Sequence, residues 1–203
     1  MTPERTTKRI GLTGNIGSGK STVAALLVQK GAALVDADAL AREATQDPDV
    51  LAGIGSRLGQ DLVVDGQLDR VKTAARVFGD KTARLTLNGI IHPWVRQRSD
   101  ARVTELANRA EPPPVILLDI PLLYENGLET GLDAVIVVNA PLETRVKRVV
   151  TRSNITQNDV LARDEAQMPL AEKVRRADFV VENGGGTEEL KAQIDALWAK
   201  LVS

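Results

Sequence analysis

The sequence predicts an open parallel α/β sheet with an added helical lobe. Three observations carry that expectation. Apolar runs alternate with helically spaced stretches five times along the 203 residues. Two of the runs, Val115 to Ile120 and Ala134 to Val138, are apolar almost throughout, as in strands buried on both faces. The first run, Ile10 to Leu12, leads directly into Gly14-Asn15-Ile16-Gly17-Ser18-Gly19-Lys20-Ser21, which fits G-x-x-x-x-G-K-S between a strand and a helix.

The elements follow in order. After the glycine-rich loop, Ser21 to Gln29 has helical spacing and stops at Gly31. Ala32 to Val35 is a second strand, ending in Asp36-Ala37-Asp38. A helix is expected from Leu40 to Thr45, and another from Pro48 to Leu58, opened by Asp47 and ended by Gly59. Asp65-Gly66 is a turn signal, and Asp69 is placed to cap a helix through Val77. Lys81 to Ala110 is the longest helical stretch. A break is expected near His92-Pro93, because proline removes a backbone donor and crowds the preceding turn. The run from Glu111 to Pro114 ends helix and begins extended chain. Leu122 to Gly131, between the two apolar strands, reads as a loop or short helix. Leu142 to Ser153 reads as a basic helix, and Thr156 caps another through Met168 with Asp159 three residues on. Pro169 opens a helix to Ala177. Phe179 to Val181 is the last strand, and Thr187 is expected to cap a final amphipathic helix to Leu201. The helical section between the second and third strands is too long for a simple crossover. It is expected to form a lobe at the carboxyl edge of the sheet, where such folds bind ligands.

Composition narrows the chemistry. Lys and Arg total 26 against 27 Asp and Glu, so the net charge is -1. A general nucleic-acid surface would need a basic excess, whereas a phosphorylated small molecule needs only a local basic pocket. There is no cysteine, which excludes disulfides, a thiol nucleophile and Cys-bound zinc. His92, the single histidine, excludes a multi-histidine metal site. The first eight residues lack an apolar leader-like run, and no apolar run approaches the ~20 residues of a membrane span. The expectation is a cytoplasmic protein that binds neither nucleic acid nor membrane.

The loop from Gly14 to Thr22 is the strongest site signal. Its glycines bring backbone N–H groups close to an anion, and the helix opening near Lys20 adds its positive end. Lys20 can reach the β- and γ-phosphates of a nucleotide, and the Ser21 hydroxyl can ligand Mg²⁺. The rival reading is an ordinary glycine-rich turn, against which stand the strand before, the helix after and Lys-Ser at the hinge. An acid of Asp36-Ala37-Asp38 is placed for metal binding or proton abstraction at the sheet edge; the rival reading is that Asp38 simply caps the next helix. Asp119 is either an acid that holds Mg²⁺ through water or a strand-end acid bonded to a loop backbone. His92 marks a helix break or contacts a substrate phosphate. A solvated helical surface accounts for most of Arg145, Lys147, Arg148, Arg152, Arg163, Lys173, Arg175 and Arg176. One or two of these can instead offset charge on a transferring phosphoryl group.

Taken together, the motifs resemble the dephospho-CoA kinase family, from Ile10 to about Gly184. They are the loop Leu12 to Thr22, Asp36-Ala37-Asp38 with Arg42, His92-Pro93, Asp119 to Glu125, and a last set of Arg163, Gln167, Lys173, Ala177-Asp178 and Asn183-Gly184. Many P-loop families share the first motif. The combination of Asp-Ala-Asp with Pro-Leu-Leu-x-Glu is far more specific. Asn15 departs from the family pattern, standing in the variable part of the loop where many members have a second glycine.

The resemblance implies a P-loop NTPase fold of the nucleoside-monophosphate-kinase type, with a five-stranded core at 8–45, 112–152 and 177–203. It implies a CoA-binding lobe at 46–111 and a lid at 153–176. The reaction it implies passes the γ-phosphoryl of ATP, with Mg²⁺ bound, to the 3′-hydroxyl of dephospho-CoA. In that reading Gly14 to Thr22 hold ATP, Asp38 is the base and shares the metal with Ser21, and Lys20 and Arg148 steady the phosphoryl group. Asn183 lies near the adenine, and Arg42, His92, Pro121, Leu122, Tyr124 and Glu125 form the acceptor site. The protein would be a monomer or small homo-oligomer. The rival enzyme is another small P-loop kinase acting on a nucleoside or a different monophosphate. A nucleotide switch is the rival from another class, but the chain has no N-K-x-D-like guanine motif.

Overall fold

The computed structural model of the chain describes residues 7–153 and 155–203. Position 154, within the expected lid, lies outside the described residues. Five strands, β1 (Lys8–Thr13), β2 (Ala33–Asp36), β5 (Val115–Asp119), β6 (Ala134–Asn139) and β7 (Phe179–Glu182), form one sheet in the order β2-β5-β1-β6-β7. β1 pairs in parallel with both β5 and β6, and β6 in parallel with β7. In that register Leu12 lies between Asp119 on one side and Ile136 on the other. The end of β1, where the glycine-rich loop begins, is therefore level with the end of β5.

Alternation along β1 sets the two faces. Ile10 and Leu12 face the helices α1 (Lys20–Gln29) and α9 (Thr187–Val202), packing with Val23, Leu27, Leu190 and Ile194. Each fully buried leucine of this cluster contributes about 1.5–3 kcal/mol relative to leaving it in water. Gly11 faces the other way. A Cβ there would lie 2.7 Å from the side-chain ends of both Leu123 and Leu132, so glycine lets the run of turns after β5 rest against the strand without either leucine shifting. Leu123 and Tyr124 anchor that second cluster with Val135, Val137 and three residues of α8 (Leu170–Arg176) and its flank, Leu170, Val174 and Ala177.

The chain divides into two compact units: one of residues up to 35 with Leu106–Ser203, the other Asp36–Glu105. The second contains α2 (Ala37–Ala44), α3 (Pro48–Leu58), a hairpin of β3 (Val63–Val64) and β4 (Gln67–Leu68), α4 (Arg70–Val77) and most of α5 (Lys81–Ala107). Aspartates cap its helices, among them Asp80 at the start of α5, which accepts from Ala83 N at 2.9 Å. Asp36 accepts from Ala39 N at 3.0 Å, Asp47 from Asp49 N at 3.0 Å, and Asp69 from Lys72 N at 2.9 Å. Asp65 and Gly66 make the hairpin turn, both with positive φ.

The second unit begins at Asp36: Ala44 packs with Val50, Ile54 and Leu62 and draws α2 into that cluster. One element differs from the sequence reading: α5 does not break at His92-Pro93 but is one helix of 27 residues with Pro93 inside it. Leu87, Ile90 and Ile91 before the proline and Trp94 and Val95 after it pack on one apolar cluster. Trp94 also donates its indole N–H to Asp47 at 2.9 Å. Packing on both sides outweighs the one backbone bond that proline removes.

Candidate active site

The loop between β1 and α1 is built to face an anion. Gly17 and Gly19 have φ of 78° and 85°, conformations that cost a side-chain-bearing residue about 1 kcal/mol or more. They are also places of close approach: a Cβ on Gly17 would lie 2.5 Å from the carbonyl oxygen of Arg145, and one on Gly19 would run into the amide of Asn183. Gly19 opens α1 with no side-chain cap. The first N–H groups of the helix therefore have no side-chain partner and point where a phosphate would bind. The Ser18 hydroxyl is buried and has no partner among the described residues.

Three side chains surround this loop. Asn183 is buried and donates its amide to the Ser18 carbonyl at 2.8 Å. That bond braces the loop backbone, a role the sequence reading did not assign to it. The guanidinium of Arg148 lies 3.5 Å from the same carbonyl oxygen. Lys20 forms an ion pair with Asp119 at the end of β5. Asp119 was open between metal binding and a bond to loop backbone, and here its carboxylate meets the loop's own lysine.

The segment from α7 (Gln157–Glu165) to α8, expected as a lid, is joined to the loop by buried polar groups. Asn15 donates its amide to Asp164 at 2.8 Å and to the Met168 carbonyl at 3.2 Å. Ile16 N donates to Gln167 at 2.9 Å. Burial acts to raise the pKa of Asp164, but hydrogen bonds from Arg145 and Asn15 hold it below the usual carboxylate value. Lys173 is fully buried; its ammonium lies 2.8 Å from Glu125 and donates to the Pro121 carbonyl at 3.2 Å. Burial pushes the Lys173 pKa below that of an ordinary lysine, against the stabilising bond to Glu125. Glu125 also accepts from Met168 N at 2.8 Å. Burial alone would raise its pKa, but Lys173 and the Met168 N–H hold it below the usual value.

Among the residues expected at the acceptor site, Tyr124 and Glu125 thus hold α8 in place. Tyr124 is 6% exposed, and the Arg176 guanidinium lies over its ring at 4.4 Å. Burial raises its pKa. The Pro121 carbonyl also accepts from Thr13 at 3.0 Å, while Leu122 is exposed. Arg42, His92 and Asp38 belong to the second unit, and all three are exposed. Asp36 is the residue that caps α2, and Asp38 stands in its first turn with its side chain free of that duty. Arg42 lines a cavity of about 310 Å³ with Ala41, Thr45, Leu68, Arg70 and Thr73.

The sequence reading assigned most of a basic set that includes Arg145 and Lys173 to a solvated surface, without choosing the exceptions. Both are buried, at 4% and 0% exposure. Asp164 was not singled out at all. Its only signal was position, since an acid eight residues after the Thr156 cap falls one helical turn beyond the buried Val160.

No helix among the described residues is long and apolar enough to cross a membrane. Nor do they hold a ready cluster of three or more His, Cys, Asp or Glu for a metal. Magnesium beside a nucleotide needs only one or two protein oxygens, the rest coming from phosphates and water. The Ser21 hydroxyl, exposed at the start of α1, fits that need.

A parallel sheet whose central strand runs into an uncapped glycine loop, with a lysine and an arginine beside it, defines a P-loop kinase of small molecules. The dephospho-CoA kinase family model matches residues 8–189. A dephospho-CoA kinase of Deinococcus radiodurans is 47% identical over 194 residues, covering 96% of this chain and 92% of the relative. A crystal structure from Thermus thermophilus matches with a TM-score of 0.83 and 43% identity, covering 97% of this chain and 99% of the other. A dephospho-CoA kinase from Campylobacter jejuni shares the fold with a TM-score of 0.65 at 23% identity, covering 97% and 98%. The chain belongs to the dephospho-CoA kinase family. The reaction this membership assigns is ATP-dependent phosphorylation of dephospho-CoA, the last step of coenzyme A synthesis.

Proposed function

We propose that the loop from Gly14 to Thr22 holds the phosphates of ATP and that the γ-phosphoryl passes to the 3′-hydroxyl of the dephospho-CoA ribose. The observation that carries this reading is the convergence of uncapped α1 N–H groups, Lys20 and Arg148 on one loop. Phosphoryl transfer needs positioning and charge stabilisation more than covalent chemistry. The N–H groups hold the β- and γ-phosphates, and Lys20 exchanges Asp119 for phosphate oxygens. Arg148, already resting on the loop backbone, offsets charge as it builds on the moving phosphoryl group. Mg²⁺, held by Ser21 and a carboxylate from Asp38, would neutralise charge on the phosphate oxygens when bound.

Asp38 takes the proton of the ribose hydroxyl. Ligands of α/β sheets bind beyond the carboxyl ends of the strands, and Asp38 follows β2 by two residues while Asp36 is engaged as a cap. Arg42, with His92, Pro121 and Leu122, belongs to the acceptor site, where Arg42 suits the pyrophosphate of dephospho-CoA. Tyr124 and Glu125 serve that site by holding α8. The segment 153–176 covers the nucleotide.

ADP release measured with dephospho-CoA, adenosine, AMP and shikimate as parallel acceptors tests the reading. Dephospho-CoA should be preferred by a wide margin, because binding energy from the pantetheine arm helps position the reacting hydroxyl. Equal turnover of adenosine would favour a nucleoside kinase instead.

A further inference from the structure

α6 (Leu142–Ser153) carries two arginines three residues apart, and so on one face. One of them, Arg148, meets the phosphate loop. The other, Arg145, cannot reach a ligand, because every group of its guanidinium is already engaged. Its Nε donates to the Ala140 carbonyl at 3.1 Å, and one Nη donates to the Ile16 carbonyl at 3.3 Å. The two Nη groups grip the two oxygens of Asp164 at 2.5 and 3.2 Å, the bidentate arrangement that only arginine can make. The same Asp164 oxygen takes the amide of Asn15 from inside the loop.

Asp164 is therefore a knot joining α7, α6 and the loop. The backbone of α6 at Arg145 also touches Gly17 directly. With both the side chain and the backbone of Arg145 held against the loop, the next turn of α6, which carries Arg148, has little freedom.

We infer that Asp164, Asn15 and Arg145 are positioning residues for Arg148: they fix the register of α6 against the phosphate loop, and so set where the Arg148 guanidinium stands during transfer. This rests on the reading of Arg148 as a group that steadies the phosphoryl. Asn15 supplies the link from the loop to Asp164. The depressed pKa of Asp164 agrees with a carboxylate that stays ionised between Arg145 and Asn15.

The test is a set of double-mutant comparisons on the full chain, reading kcat, KM for ATP and thermal unfolding together. Asp164→Asn removes the charge of the knot. Asn15→Ala removes one link and orphans no buried charge, so it keeps the test sound if Asp164→Asn folds poorly. A misplacement near 1 Å at a catalytic group costs up to about 100-fold. Asp164→Asn is expected to lower kcat by about 10- to 100-fold and Asn15→Ala by less, with KM for ATP changed by under about threefold.

Combined with Arg148→Ala, either substitution should add almost nothing further, because the group being positioned is gone. If Arg148→Ala is slow and the second substitution still multiplies the loss in full, the knot acts on something else and the inference fails. If kcat falls only in step with the folded fraction, the role is structural and the inference fails. If Arg148→Ala alone keeps normal turnover, Arg148 is not catalytic, and that reading and this one fall together.

Discussion

Two helical regions are held in order by opposite means. The segment α7–α8 is fastened to its own unit through buried and half-buried polar groups: Asp164 between Arg145 and Asn15, Gln167 on Ile16 N, and Lys173 between Glu125 and Pro121. The unit from Asp36 to Glu105 is held together internally by an apolar cluster around Ile54 and Leu62, with carboxylate caps at its surface and large exposed side chains at Val71 and Phe78. An apolar cluster is tolerant of small changes, because hydrophobic burial has no direction. A buried ionic contact is not, since removing one partner strands the other. The polar fastening sits beside the glycine-rich loop, where on the proposed reading the geometry of the phosphates matters most.

That contrast can be broken at several levels. The largest effect is expected from the second unit's own contribution to the chemistry. Asp38→Asn should lower kcat by about 10²–10⁴-fold with little change in KM for ATP. Asp36→Asn should cost less, since Asp36 is a cap. A normal rate for Asp38→Asn beside a dead Asp36→Asn would assign the base to the wrong carboxylate. Lys20→Ala comes next, with a loss of about 10²–10³-fold in kcat expected for one charge-stabilising group. Turnover near wild type in the folded variant would remove the loop from the mechanism.

The stability comparison follows. Lys173→Met strands Glu125 and should cost about 3–5 kcal/mol in chemical denaturation. Arg102→Ala, which breaks an exposed pair with Glu105 on α5, should cost less than about 1 kcal/mol. Similar costs for the two would erase the distinction between the regions.

Acid gives a gentler probe. Asp164 and Glu125 have folded pKa values below their ordinary ones, so at mildly acidic pH the unfolded chain binds more protons than the folded one. Their contribution is complete above the ordinary carboxylate range, near pH 4. It is lost as pH falls through their folded values. Asp164→Asn should flatten the fall of melting temperature between about pH 5 and pH 2. An unchanged slope would mean that Asp164 is not ionised against Arg145.

The fold and the loop were legible in the sequence because each rests on a local signal. β5 and β6 announce themselves as apolar runs, and Gly14 to Ser21 as a spacing. What was not legible depends on contacts distant in sequence. Pro93 reads as a break until the apolar residues on both sides of it find one cluster. Arg145 and Arg148 are indistinguishable as members of a basic helix. Only the loop and Asp164, some 130 and 19 positions away, make one a buried fastening and leave the other at the site. The sequence reading offered Asp38 as a cap, but the helix starts at Ala37 and Asp36 caps it, since an acid's place in a turn is decided by where the helix begins.

The strand order has a consequence for how the chain comes off the ribosome. β1 is made first and lies in the middle of the sheet, yet both strands that flank it, β5 and β6, begin only at Val115 and Ala134. At about 5–20 residues per second, β1 and the phosphate loop wait roughly 5–20 seconds without partners. The whole unit from Asp36 to Glu105 emerges during that wait, and its contacts are local enough for it to fold first. The glycine-rich loop is thus synthesised well before the two strands that set the position of β1.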